Sequence, residues 1–194
     1  MSVEAPQPVA APMPEREEQG ALPQILTAGI AFAVAAACFL HFGVTSRAFV
    51  SALFVIVLTA LAAIDIEQRI LPNRIVIPAT VVVLLLQIAL FPEHTLEWVL
   101  STLGAGLFFL LAYITYRAGL GLGDVKFAFL LGAGLGKGVV LGIFVGMFAA
   151  GIAGLVLIAR EGLDARKKTI PLGPFLVFGA VISLFFNGSD FISF

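Results

Sequence analysis

The chain has 194 residues, of which 60% are hydrophobic and only 12% are Lys, Arg, Asp or Glu. Soluble domains carry about twice that share of charge, so an ordinary soluble domain is excluded. A net charge of −1 gives no electrostatic footprint for nucleic acid, and the lone cysteine, Cys38, rules out an internal disulfide framework or a multi-cysteine zinc site.

Residues 1–20 differ in kind from the rest. They hold Pro6, Pro8, Pro12 and Pro14 and the charged run Glu15-Arg16-Glu17-Glu18. With no apolar face to offset ordering entropy, they read as a disordered polar tail. They also lack the basic segment and small-residue cleavage site of a signal peptide. Residues 21–194 read as one transmembrane domain.

A bilayer crossing takes about 20 mainly apolar residues. Such runs fall at 22–43, 48–66, 75–91, 98–116, 120–136, 139–159 and 170–186. The expected fold class is therefore all-α, a polytopic transmembrane helical bundle of about seven spans. The fifth is the short one: from Val125 to Gly136 it offers about 18 Å of helix at 1.5 Å per residue. A re-entrant fifth segment would leave six spans. Positive charges favour seven: with the N-terminus inside, Arg16, Arg69, Arg74, Arg117, Lys126, Arg160, Arg166, Lys167 and Lys168 are cytoplasmic, and only Arg47 and Lys137 are outside.

Along the sixth run Gly138, Gly142, Gly146, Ala150 and Gly154 recur every fourth residue, a stripe that lets another helix approach closely. Trp98 and Tyr116 fit interfacial aromatic positions at the two ends of the fourth run. Cys38 reads as a small buried apolar residue. His41 and His94 fall at the outer face.

Two aspartates stand apart from the solvated loop charges. Asp65 lies inside the second apolar run, and Asp124 follows Gly119-Leu120-Gly121-Leu122-Gly123 just before the fifth. Ionisable residues within spans are costly and by default mark function. The plain reading is that they end helices or pair with Arg69, Arg74 or Lys126. The functional one is that two carboxylates at one membrane face share a proton and activate water against a peptide carbonyl, one as base and one as acid. Gly121 and Gly123 leave room beside Asp124 for another backbone. Helix-end electrostatics favour an ionised Asp124 at the start of its helix and a protonated Asp65 in the last turn of its own.

Gly121-Leu122-Gly123-Asp124 is a GxGD motif, and Asp65-Ile66-Glu67-Gln68-Arg69-Ile70-Leu71-Pro72-Asn73 resembles the first-aspartate motif of the type IV prepilin peptidases. Gly123-Asp124-Val125-Lys126-Phe127, with Leu131-Gly132-Ala133, resembles that family's second-aspartate region. A third stretch, Lys168-Thr169-Ile170-Pro171-Leu172-Gly173-Pro174-Phe175-Leu176, is similar to its late motif. The resemblance covers roughly residues 48–186. It implies catalytic aspartates at Asp65 and Asp124, with Gly121, Gly123, Lys126, Pro72, Pro171, Gly173 and Pro174 as supporting motif residues. It further implies an inner-membrane aspartyl endopeptidase that cuts the basic leader of a prepilin or pseudopilin, ahead of its hydrophobic helix, at the cytoplasmic face. The implied partners are that substrate and the lipid bilayer, with no metal, no organic cofactor and no nucleic acid.

Larger bacterial members carry a further N-terminal span and a cytoplasmic region with paired cysteines linked to N-methylation. This chain has no CxxC pair, so a peptidase-only form is expected. For Lys126, about 200° around a helix from Asp124, the expectation is anchoring at the membrane boundary. Pro171 and Pro174 around Gly173 are expected to shape the approach to the last span, acting on catalysis only indirectly. Other readings stay open: a presenilin-like intramembrane protease, although Ile64 precedes Asp65 where that group has tyrosine; a proton-coupled small carrier; and a non-catalytic assembly factor.

Overall fold

The computed structural model describes residues 16–69, 71–115, 120–161 and 171–187. Residues 1–15, Ile70, Tyr116, Arg117, Gly119, Arg166, Lys167 and the Lys168-Thr169-Ile170 opening of the third motif lie outside them. Among the described residues seven α-helices follow one another: α1 (Arg16–Phe42), α2 (Ser46–Gln68), α3 (Asn73–Leu90), α4 (Thr95–Thr115), α5 (Leu122–Leu135), α6 (Val139–Glu161) and α7 (Gly173–Asn187). Short 3₁₀ turns, Pro92–His94 and Gly136–Gly138, precede α4 and α6. Among the described residues there is no strand. Within the described residues five segments are long and apolar enough to cross a membrane, the fifth being the continuous run from Leu122 to Glu161, and α7 is a shorter apolar helix. The chain is a polytopic all-α membrane protein. The helices match the seven apolar runs, except that α1 begins earlier, at Arg16.

Side-chain contacts fix the direction of each helix. Phe39 meets Phe49 edge-on across the α1–α2 hairpin. The Trp98 ring faces Gly136 and the Phe129 ring faces Gly106, so α4 and α5 run antiparallel. Asn73 meets Lys126 near the starts of α3 and α5, and Gln87 reaches the Gly134 carbonyl near their ends, so this pair is parallel. Ser183 Oγ donates to the Gly138 carbonyl at 2.6 Å, and Gly146 faces Leu176. Hence α7 returns along α6. The small-residue stripe of α6 thus has the helix partner it was expected to need: a Cβ on Gly142 would stand 3.5 Å from the Ala180 Cα, and one on Gly179 would run into Gly142 and Gly146.

The short α5 is the core of the bundle. Every residue from Leu130 to Gly136 is buried, and the Gly132 and Gly134 positions are closed by the α4 backbone at Ser101 and by the Phe54 ring. It runs the length of the bundle, from the end holding Asp65 to the end holding Trp98, instead of turning back midway. Gly136, at φ +54, ends it and turns the chain into α6.

One expectation changes and one holds. Trp98 is 8% exposed, with its ring against Gly136, so it packs between helices instead of lying in an interfacial belt. Cys38 is fully buried, in a small cluster with Ala35, Ala52 and Val55, as expected of an apolar side chain.

Candidate active site

The alternation of directions gathers the C-terminus of α2 and the N-termini of α3, α5 and α7 at one end of the bundle. Every described site residue expected from the sequence lies on one of these four segments or its immediate lead-in. His94 lies at the other end, where it and Lys137 pair with Glu97 at 3.8 and 2.9 Å.

Asp65 occupies the last turn of α2. Its carbonyl accepts the Arg69 N–H at 2.9 Å, and Arg69 closes the helix in the left-handed conformation, φ 53 and ψ 31. The Asp65 side chain is 6% exposed. Its Oδ2 accepts a 2.9 Å hydrogen bond from the backbone N–H of Gly173, 108 positions away. Gly173 is the first residue of α7, with the Leu172 carbonyl accepting the Leu176 N–H behind it. Its N–H is one of the donors that a helix N-terminus leaves without an intrahelical partner. Pro171 and Pro174 flank this contact and present Gly173 to the carboxylate. Gly173, expected only as a supporting motif residue, therefore touches a candidate catalytic group directly. A Cβ there would lie 2.6 Å from Asp65 Oδ2 and 3.2 Å from its Cβ.

Asp124 is the third residue of α5. It folds back so that Oδ2 accepts the Gly121 N–H at 2.9 Å, while its own N–H donates to the Gly121 carbonyl at 3.1 Å. This is one half of a capping box; glycine has no side chain to supply the other. Asp65 lies within electrostatic range of Asp124. Among the described residues neither carboxylate pairs with Arg69, Arg74 or Lys126, and neither takes a second hydrogen bond. Both carboxylates accept an N–H at a helix N-terminus, Asp124 that of its own helix and Asp65 that of α7, so Asp65 at the end of α2 also meets the start of another helix.

The remaining motif residues tie α3 to this end. Leu71 packs on Gly123, where a Cβ would stand 3.2 Å from the Leu71 Cβ. Pro72 precedes α3, and its carbonyl accepts the N–H groups of Ile75 and Val76. Lys126 Nζ donates to Asn73 Oδ1 at 2.7 Å, so it bridges α5 and α3 instead of serving only as an anchor at the boundary. Sequence reasoning missed Asn73 and Leu71 as partners, because neither residue type signals a contact 50 positions on. Among the described residues no set of three His, Cys, Asp or Glu side chains stands together.

Comparison with curated proteins gave no match, and comparison with solved structures gave none. The profile of the type IV leader peptidase family matches residues 52–159, a stretch that contains both Asp65 and Asp124. That match spans more than half of the sequence, and the chain belongs to the type IV leader peptidase family.

Proposed function

We propose that the protein is an aspartyl endopeptidase that removes the short basic leader of a type IV prepilin or pseudopilin, ahead of its hydrophobic helix. In this reading the site faces the cytoplasm at the inner membrane. The observation that carries it is the arrival of two carboxylates from separate helices at one end of the bundle, each with one oxygen held by a helix N-terminal N–H. A carrier that uses carboxylates as proton sites would place them near the bilayer midplane.

The mechanism needs one proton between the two groups. The ionised carboxylate takes a proton from water as the oxygen attacks the scissile carbonyl carbon. The protonated one hydrogen-bonds the carbonyl oxygen and then donates to the leaving amine as the C–N bond breaks. The backbone N–H groups of Gly121 and Gly173 keep the two carboxylates oriented throughout, so the pair is positioned before substrate arrives.

The test is cleavage of a prepilin with a basic leader by purified protein in lipid, beside Asp65→Asn and Asp124→Asn. One cleaved bond at the leader boundary, with loss of at least about a thousandfold in each folded variant, is the expected result. Undiminished cleavage by either variant would refute the two-carboxylate mechanism.

A further inference from the structure

The helices that carry the two aspartates are not close neighbours along their backbones; at the far end they meet through the Phe54 ring on Gly134. At the carboxylate end the described part of the link between α2 and α3, Leu71 to Asn73, is held on the first turns of α5 by side chains. Leu71 is 7% exposed although it lies between helices, because it fills the space Gly123 leaves. Two residues on, Asn73 is held by Lys126 at 2.7 Å. On the other side of Leu71, Arg69 ends α2 in a left-handed turn four residues after Asp65.

We infer that Lys126 is a positioning residue: through Asn73 it fixes the α2–α3 link on α5, and so sets the spacing of Asp65 from Asp124. The inference rests on the peptidase reading and adds a role to that same site. Lys126 is two residues from Asp124, about 200° around the helix, so it acts on the link and not on the carboxylate. Its ammonium is a charged donor, which strengthens the bond, but Asn73 is exposed, which weakens the net effect. Losing the bond is therefore expected to lower kcat by about three- to tenfold, not to abolish turnover.

The test uses the full-length protein in lipid and two readouts. In the first, kcat and KM for prepilin cleavage are measured for Lys126→Met, Lys126→Arg, Asn73→Leu and the Lys126→Met/Asn73→Leu double variant. The expected result is reduced kcat at unchanged KM for Lys126→Met and Asn73→Leu, no further loss in the double variant, and recovery in Lys126→Arg, which can still donate to Asn73. In the second, spin labels at Glu67→Cys and Leu122→Cys, with Cys38→Ala, report the distance between the end of α2 and the start of α5. Lys126→Met is expected to broaden that distribution, and Lys126→Arg to restore it. An unchanged distribution in Lys126→Met overturns the inference. So does a rise in KM with kcat intact, which would place Lys126 on the substrate. The distance readout needs no turnover, so a wild type that cleaves no prepilin would sink the peptidase reading while leaving this one decided by the labels.

Discussion

Replacing Gly173 by alanine isolates the contact between α7 and Asp65. The added methyl group would stand 2.6 Å from Asp65 Oδ2, 3.1 Å from Cγ and 3.2 Å from Cβ, all inside normal carbon contact distances of about 3.5–4.0 Å. The carboxylate is the end of a side chain with two torsions and can swing aside, so the fold survives; what is lost is the 2.9 Å hydrogen bond from the Gly173 N–H. A hydrogen bond to a charged group contributes roughly 1.5–3 kcal/mol. At about 1.4 kcal/mol per factor of ten, Gly173→Ala should reduce kcat by roughly ten- to a hundredfold with little change in thermal stability. Gly121→Ala is the internal control. Its Cβ would meet Asp124 Oδ2 at 3.3 Å, a contact that a few tenths of an ångström relieve, so the loss should stay under about threefold if orientation is what matters. The assay is prepilin cleavage in lipid with melting curves alongside. Equal activity in Gly173→Ala and wild type would refute the claim that this N–H orients Asp65, and a larger loss in Gly121→Ala would reverse the ranking on which it rests.

Three further expectations concern stability. Gly179→Ala should lower the melting temperature, because its Cβ would be driven into Gly142 and Gly146 of α6 at a cost of about 1–3 kcal/mol; Gly104→Ala, with nothing within 4 Å of the new methyl, should raise stability by roughly 0.5–1 kcal/mol through helix propensity. Arg69 holds φ 53 without being glycine. Differential scanning in detergent should therefore show Arg69→Gly neutral or stabilised, and Arg69→Val destabilised by about 1–2 kcal/mol, whereas destabilisation in both would show that the Arg69 side chain itself holds the end of α2.

The helices were legible because each is an apolar run closed by charge, proline or glycine, and breaks such as Glu67 to Arg74 are conspicuous in a chain with so few charges. The pattern of α5 was the least informative: its second half, Leu130 to Leu135, is wholly buried and uncharged, so it reads as continuous apolar sequence with no period to mark a face. Asp65 and Asp124 stood out for the opposite reason, as carboxylates where carboxylates are costly. The groups that orient them did not stand out. A backbone N–H has no side-chain signature, and the Gly173 donor is 108 positions from its acceptor. Lys126 was visible as a motif residue, but its partner Asn73, 53 positions earlier, looked like an ordinary start to α3.

The way the carboxylates are held follows from where they sit. A helix N-terminus leaves its first N–H groups without intrahelical acceptors, and in or near hydrocarbon an unpaired donor costs several kcal/mol. An ionised carboxylate in the same setting is also expensive unless it is hydrogen-bonded. Bringing the N-termini of α5 and α7 to the end where α2 finishes lets each cost offset the other: Gly121 N–H with Asp124, and Gly173 N–H with Asp65. Glycine at both donors keeps side chains out of the carboxylates' way, and at Gly173 the space is so limited that a single methyl would stand 2.6 Å from the oxygen. The antiparallel course of α2 and α7 is thus what gives Asp65, at the unfavourable end of its own helix dipole, the favourable end of another.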